Sequence, residues 1–302
     1  MPINMQLEFS QSGKQHHSFY NVLDDDVMYH YCSLDAFWGI VNSKCLWMTS
    51  AAYTNDSLEM DYINECVRNV LEDASNDQDM RIEDIERKFS WYKSGVLLTA
   101  PFICCFSSSE NNLSQWRLYA DDCHGVAIAF NMVKLREWLN IRESIDISSS
   151  GYFGGWVTYI GKGEECDFKQ QIVGEIKSGS RFCINDITRY AKNFFSKMDG
   201  FKDEQEIRII YIPGYQLNDE KTGYEYVPSL YNNEQLGFRL SGKRLIPYWK
   251  MPIVAFDNPE DLAIDKLVLG PQVDNHTKFA IEMFLKKNNL KINVEQFKAP
   301  YR

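Results

Sequence analysis

Long apolar runs are missing from this sequence. No stretch approaches the roughly 18 residues that a membrane-spanning helix needs. The N-terminal MPINMQLEFSQSGKQHH also lacks the continuous apolar core of a secretory signal, so a cytoplasmic protein is expected. Paired cysteine spacings are missing too. The eight cysteines at positions 32, 45, 66, 104, 105, 123, 166 and 183 contain no C-x-x-C, whereas zinc sites are built on ligand pairs two to four residues apart. They read as reduced, mostly buried thiols of an intracellular chain. Histidine is scarce, with five scattered residues, so no metal centre is expected. Walker A, G-x-G-x-x-G, H-E-x-x-H and G-x-S-x-G are all absent. Positive charge is in deficit: 32 Lys and Arg against 42 Asp and Glu give a net charge of −10. That excludes a general binder of phosphate backbones and fits a protein partner better than bare DNA, although a local basic groove stays open. No internal repeat or low-complexity block is visible.

What remains is an ordinary globular composition over 302 residues, long enough for a large core, with a high aromatic content of 14%. Residues 1–26 are polar and read as an arm. Residues 27–302 read as a single α+β domain with mixed or antiparallel sheets flanked by helices, and with a loop or lid at 215–243 containing one short strand. The spacing predicts strands over 27–32, 45–50, 98–109, 124–131, 151–161, 265–271 and 291–297, with two more inside 244–256, broken by prolines. Helices are predicted over 33–43, with Ser33 as N-cap, and over about 58–74, about 81–95, 132–140 and 276–289, with a short one inside 110–122. One long or broken helix is predicted over 167–198.

Four short constellations carry chemistry. The first is Tyr29-His30-Tyr31 on the opening strand, where His30 faces opposite to its neighbours. A strand histidine can bond a ribose hydroxyl or a carboxamide, or simply a backbone group. The second, Tyr53-Thr54-Asn55-Asp56-Ser57-Leu58-Glu59, is either a helix cap or a turn offering Asn55 and Glu59 to a ligand. The third spans Ser114 to Asp122. Trp116 and Tyr119 share a helix face there and are either core or a stacking surface, and Ser107-Ser108-Ser109 just upstream could hold phosphate oxygens. The fourth is Glu204-Gln205-Glu206-Ile207-Arg208. On a strand beginning by Glu204, the two glutamates and Arg208 share one face. They form either a salt-bridged edge or an anionic group that stabilises a cationic sugar carbon as its base departs. A metal-dependent hydrolase using Asp121, Asp122, Glu204 and Glu206 is a third possibility.

In this order the segments resemble a large bacterial family catalogued as domain of unknown function 2971. The resemblance rests on Tyr29-His30-Tyr31-Cys32-Ser33-Leu34, Leu46-Trp47, Asn55-Asp56 with Glu59, and Trp116 with Tyr119-Ala120-Asp121. It continues through Gly125, Phe130, the E-x-E-x-R of Glu204, Glu206 and Arg208, and Gly270-Pro271. The set also resembles the ADP-ribosyltransferase plan with its His–Tyr–Glu triad and split sheet. That resemblance implies NAD as substrate, with His30 holding a ribose, Tyr119 stacking on nicotinamide and Glu206 as the catalytic carboxylate. Tyr31 and Tyr53 compete with Tyr119 for the tyrosine role. Tyr31, Ser33, Asn55, Ser107, Trp116, Arg117, Glu204 and Arg208 would surround the nucleotide. The S-T-S strand motif of that plan is absent, and Ser107-Ser108-Ser109 is a loose substitute. A toxin or phage-defence effector passing ADP-ribose to water or to a macromolecule is the implied role. The alternative is a non-enzymatic nucleotide- or protein-binding sensor of a bacterial defence system.

Overall fold

The computed structural model describes residues 27–54, 101–141, 150–160, 195–213, 215–218, 223–226 and 233–298. The N-terminal arm, Asn55, and the helices expected over 58–74 and 81–95 lie outside the described residues.

The β-prone run Val27–Cys32 makes the first strand, β1. Ser33 then caps helix α1 (Leu34–Ser43) by accepting a hydrogen bond from the Ala36 amide at 3.2 Å. The helix buries Phe37, Ile40 and Val41 and leaves Trp38 in solvent. Next come β2 (Cys45–Ser50), β3 (Phe102–Ser107), helix α2 (Leu113–Tyr119) and β4 (Val126–Asn131). Helix α3 (Met132–Leu139), β5 (Gly151–Trp156) and β6 (Thr158–Ile160) follow. β7 (Ser196–Met198), a 3-10 turn over Asp199–Glu204 and β8 (Glu206–Ile212) lead to β9 (Tyr215–Asn218) and β10 (Gly223–Tyr226). The chain closes with β11 (Leu236–Ser241), β12 (Arg244–Pro252), β13 (Ile264–Leu269), helix α4 (Asn275–Lys287) and β14 (Asn293–Gln296).

Ten of these strands form one sheet. Its main path runs β11-β12-β2-β3-β1-β4-β13-β14, with β8 pairing β3 and β5 pairing β8. All pairs are antiparallel except β13–β14, so the α+β expectation with mixed sheets holds. The sheet divides at β3. β2 pairs with its start, at Phe102 and Ile103, and β1 with its end, at Ser107, while β8 runs along all six residues.

One face of the sheet carries the main core: Met28, Cys32, Met48, Cys104, Phe106, Ile128, Phe130, Ile207, Ile209 and Trp249 among others. The opposite face carries a smaller cluster of Tyr31, Trp116, Ala120, Cys123, Ala127 and Val268, which seats α2.

Four local expectations are revised. Residues 195–198 are not helical: Ser196–Met198 is a strand pairing in parallel with β6. The segment expected as a loop or lid with one strand holds three, β9, β10 and β11. Residues 244–252 form one strand through Pro247 instead of breaking there. β2 pairs with β12 only from Tyr248 onward, so no ladder bond to β2 is lost at the proline. Finally, β8 begins at Glu206, because Gln205 takes a left-handed φ of 47° that ends the 3-10 turn.

Candidate functional site

Two backbone devices place Tyr119. After α2 the chain passes through Asp121, Asp122 and Cys123, all at positive φ, an uncommon conformation for non-glycine residues. The Gly125 amide returns to Ala120 O at 2.8 Å, and a Cβ at Gly125 would lie 2.2 Å from Cys32 O. Glycine is therefore required where this turn presses on β1. Gly270 is required for the same reason, since a Cβ there would sit 2.1 Å from Cys123 O. The turn fixes α2 so that Trp116 is fully buried, edge-on to Tyr31 and stacked on Phe297, with its Nε1 donating to Glu110 O at 3.0 Å. Tyr119 sits one turn further on the same helix and remains 46% exposed.

A separate device brings in the charges. The short parallel ribbon of β6 and β7 sets Tyr159 beside Lys197. The Tyr159 hydroxyl accepts from the Glu206 amide at 2.8 Å. Lys197 Nζ lies 2.5 Å from Glu204 Oε2 and 3.2 Å from Glu206 Oε2. Arg208 meets Glu206 in a two-point pair, Nε to Oε1 at 2.7 Å and Nη2 to Oε2 at 3.1 Å. Tyr119 donates its hydroxyl to Glu204 Oε1 at 3.2 Å. Ser107 donates to Glu204 O at 3.0 Å, and Asn112 bonds Asp203 O, which locks the 3-10 turn against β3. Lys197, Glu204, Glu206 and Arg208 are all buried. Their formal charges cancel, which is the condition under which such a cluster survives away from water.

Burial alone would raise the Glu206 carboxyl. The Arg208 guanidinium, by charge and hydrogen bond, and then Lys197 outweigh it and hold the group at about 2. The carboxylate is therefore ionised at any physiological pH. Burial, reinforced by Glu204, pushes the Tyr119 hydroxyl up, so it stays a neutral donor. Cys105 lies across from Arg208 in the β3–β8 register and is exposed to solvent. Although the residue keeps exposed surface, desolvation of its sulfur within the sheet and the Glu206 charge push the thiol well up, so it too is neutral. Tyr119 is thus an exposed side chain bonded directly to a buried carboxylate, and Cys105 lies across from Arg208 beside them.

Of the residues singled out in the sequence, Tyr119, Glu204, Glu206, Arg208 and Ser107 converge. The expectation that Glu204 and Glu206 share a strand is corrected: Glu204 ends the 3-10 turn, and Lys197 is what joins the two carboxylates. His30 is not part of the group. The register pairs Tyr29 with Ser107 and Ser107 with Glu206, so His30 projects from the other face, where its ring lies 5.8 Å from Phe106. Its Nδ1 is 3.0 Å from Cys105 O, in the part of β3 lying between the β2 and β1 pairings. There it closes the division of the sheet. Burial pushes the imidazole down, toward the neutral form. Tyr31 donates to Ser109 O at 2.6 Å and is core, as is Trp116. Ser33 caps α1. Arg117 is exposed, 3.9 Å from Asp122. Among the described residues no group of three or more His, Cys, Asp or Glu could hold a metal ion.

Lys197, Tyr159 and Cys105 were not anticipated. Lys197 carries little local signal beyond the aromatic pair Phe194-Phe195 before it, and its role depends on a parallel pairing across 38 positions, from Tyr159 to Lys197.

A family model described as a protein of unknown function (DUF2971) matches residues 115–209. The matched stretch starts in α2 and ends in β8, so it takes in Tyr119, Tyr159, Lys197, Glu204, Glu206 and Arg208. Comparison with curated proteins and with solved structures gives no match. No helix among the described residues is long and apolar enough to cross a membrane.

Proposed function

We propose that the Glu204–Glu206 cluster is the reacting centre of an enzyme that cleaves the nicotinamide–ribose bond of NAD or a related nucleotide. The observation that carries this reading is the Tyr119–Glu204 hydrogen bond. It joins an exposed aromatic ring to a buried carboxylate pair, and the two segments lie 85 residues apart. In the reaction the C–N bond breaks with its electron pair leaving on nicotinamide. The ribose carbon becomes cationic, and the oxygen of water or of an acceptor adds to it and loses a proton. A carboxylate held ionised, as Glu206 is, stabilises that cation without itself needing to take up a proton. Tyr119 offers a ring for stacking and a neutral hydroxyl. His30 has a structural part only. Consumption of NAD is chemistry that a toxin or antiviral effector could use.

One observation favours the second reading, a non-enzymatic nucleotide- or protein-binding sensor. All four oxygens of Glu204 and Glu206 already have partners within the chain. A catalytic Glu206 must exchange one of them for the substrate, whereas a scaffold need not.

The experiment is release of nicotinamide from NAD by the full chain. The enzyme reading expects release that disappears in Glu206→Gln and in Tyr119→Phe and persists in His30→Ala. Tyr119→Phe guards against loss of fold in the buried variant. Absence of turnover alongside a thermal shift by NAD selects the sensor.

A further inference from the structure

Among the described residues β11 is the terminal strand of the large sheet and pairs only with β12. From Gly237 to Ser241 no other described segment bonds the backbone on its outer edge. Proteins usually blunt such an edge with proline, a bulge, charged side chains or a covering element; the one charge on β11, Arg239, is turned to Thr49. β11 reads LGFRLS, has no proline, and keeps six consecutive pairs with β12 without a bulge. The two strands meet in a tight turn at Gly242, whose φ of 57° suits a two-residue hairpin.

The register sorts the hairpin into two faces. Phe238 and Leu240 lie on one face, with Pro247 and Leu245 opposite them. This face continues into Leu236 and Trp249 of the main core. Beyond the core it is bare: Phe238 is 58% exposed, Leu240 81% and Leu245 57%. Arg239 and Arg244 alternate onto the other face, and Lys243 sits in the turn. From Gln235 to Phe256 the chain has four cations, Arg239, Lys243, Arg244 and Lys250, and no Asp or Glu, in a protein of net charge −10. Among the described residues none of the four forms a salt bridge. Arg239 donates to Thr49 Oγ1 at 3.1 Å, and Lys250 to the Glu234 carbonyl at 3.2 Å.

We infer that the outer edge of β11, unpaired among the described residues, is a strand-addition site for an extended peptide in which acidic residues alternate with apolar ones. The backbone edge calls for a polypeptide, because neither a lipid headgroup nor a nucleic acid supplies a ladder of N–H and C=O groups. The two-residue repeat of the hairpin calls for the same repeat in the ligand. Apolar side chains would extend the Phe238–Leu240 face, and carboxylates would meet Arg239 and Arg244. A second copy pairing through its own β11 would set like charges against each other, which disfavours it.

The test uses the full chain and a short, blocked, fluorescent peptide of alternating Val and Glu, followed by anisotropy. Two comparison peptides replace Glu with Lys or carry N-methyl groups on alternate backbone amides. Saturable binding of the Val–Glu peptide is expected, with affinity falling as salt rises. It should weaken by about tenfold or more in the doubly substituted Arg239→Glu, Arg244→Glu protein and be lost on N-methylation. A Phe238→Ser protein, altered only at an exposed position, should also bind less tightly. Equal binding of the N-methylated or Lys peptide would overturn the inference. So would failure of the Val–Glu peptide while phosphatidylserine vesicles or a single-stranded oligonucleotide bind.

Discussion

His30 and Glu206 stand on opposite faces of one sheet. The register carries Tyr29 to Ser107 and Ser107 to Glu206, and His30, next to Tyr29, points the other way. A dinucleotide lying on the Glu206 face meets Tyr119 and Cys105, not the imidazole. The three residues of the proposed His–Tyr–Glu set therefore do not converge: Tyr119 lies with the Glu204–Glu206 cluster, and His30 bonds the backbone on the opposite face.

That backbone bond makes its own prediction. His30 neutral at Nε2 donates Nδ1–H to Cys105 O, and an asparagine amide can reproduce that donor. His30→Ala should lower stability by about 1–2 kcal/mol and His30→Asn by less. Burial depresses the imidazole below its ordinary value, so protonation favours the unfolded chain. The stabilisation is present above the unfolded-state pKa and declines as pH falls below it. Urea melts of the three proteins check the order, and an asparagine variant no better than alanine contradicts the hydrogen-bond role.

Glu206→Gln and Lys197→Met each leave buried charge without its counterpart. Each should cost about 3–5 kcal/mol. Their effects should not add, because both residues belong to one network. Chemical denaturation of the singles and the double measures the coupling. Additive losses would mean that the two ions act independently.

Acid should find the same cluster. The Glu206 carboxyl titrates near 4.5 when unfolded and at about 2 when folded, so the unfolded chain binds more protons between those values. Its contribution, on the order of 3 kcal/mol, is complete above the unfolded value and is lost as pH falls toward 2. Comparing wild type with Glu206→Gln at neutral pH and at a pH of about 3, between the unfolded and folded values, tests this. The stability gap between them should narrow in acid, and a gap independent of pH contradicts it.

Tyr119→Phe removes one half-exposed hydroxyl. Stability should change by about 1 kcal/mol or less, while turnover or nucleotide binding falls steeply. A matched loss of both would make Tyr119 a packing residue.

Local pattern was enough for much of the fold. The β-prone run VMYHYC, the Ser33 cap and the apolar run of β3 each place an element without outside help. The E-x-E-x-R segment and Tyr119 were legible because residue types rare in a core stood beside a strand and on an aromatic helix. Lys197 was not, since its neighbours in space come from β6 and β8. Nor was the placement of His30: a lone strand gives the alternation of faces but not which face meets which partner. Pro247 misled because proline argues against a strand interior, while the actual pairing leaves the proline clear of the β2 ladder.

The claim at the centre is that nucleotide chemistry belongs to the Tyr119–Glu204–Glu206 face. Hydrogen–deuterium exchange of the full chain with and without NAD examines it most directly. Slowed exchange in 113–123 and 195–206 is predicted, with β11 and β12 unaffected. Exchange unchanged in both segments at saturating NAD, or slowed only elsewhere, would contradict it.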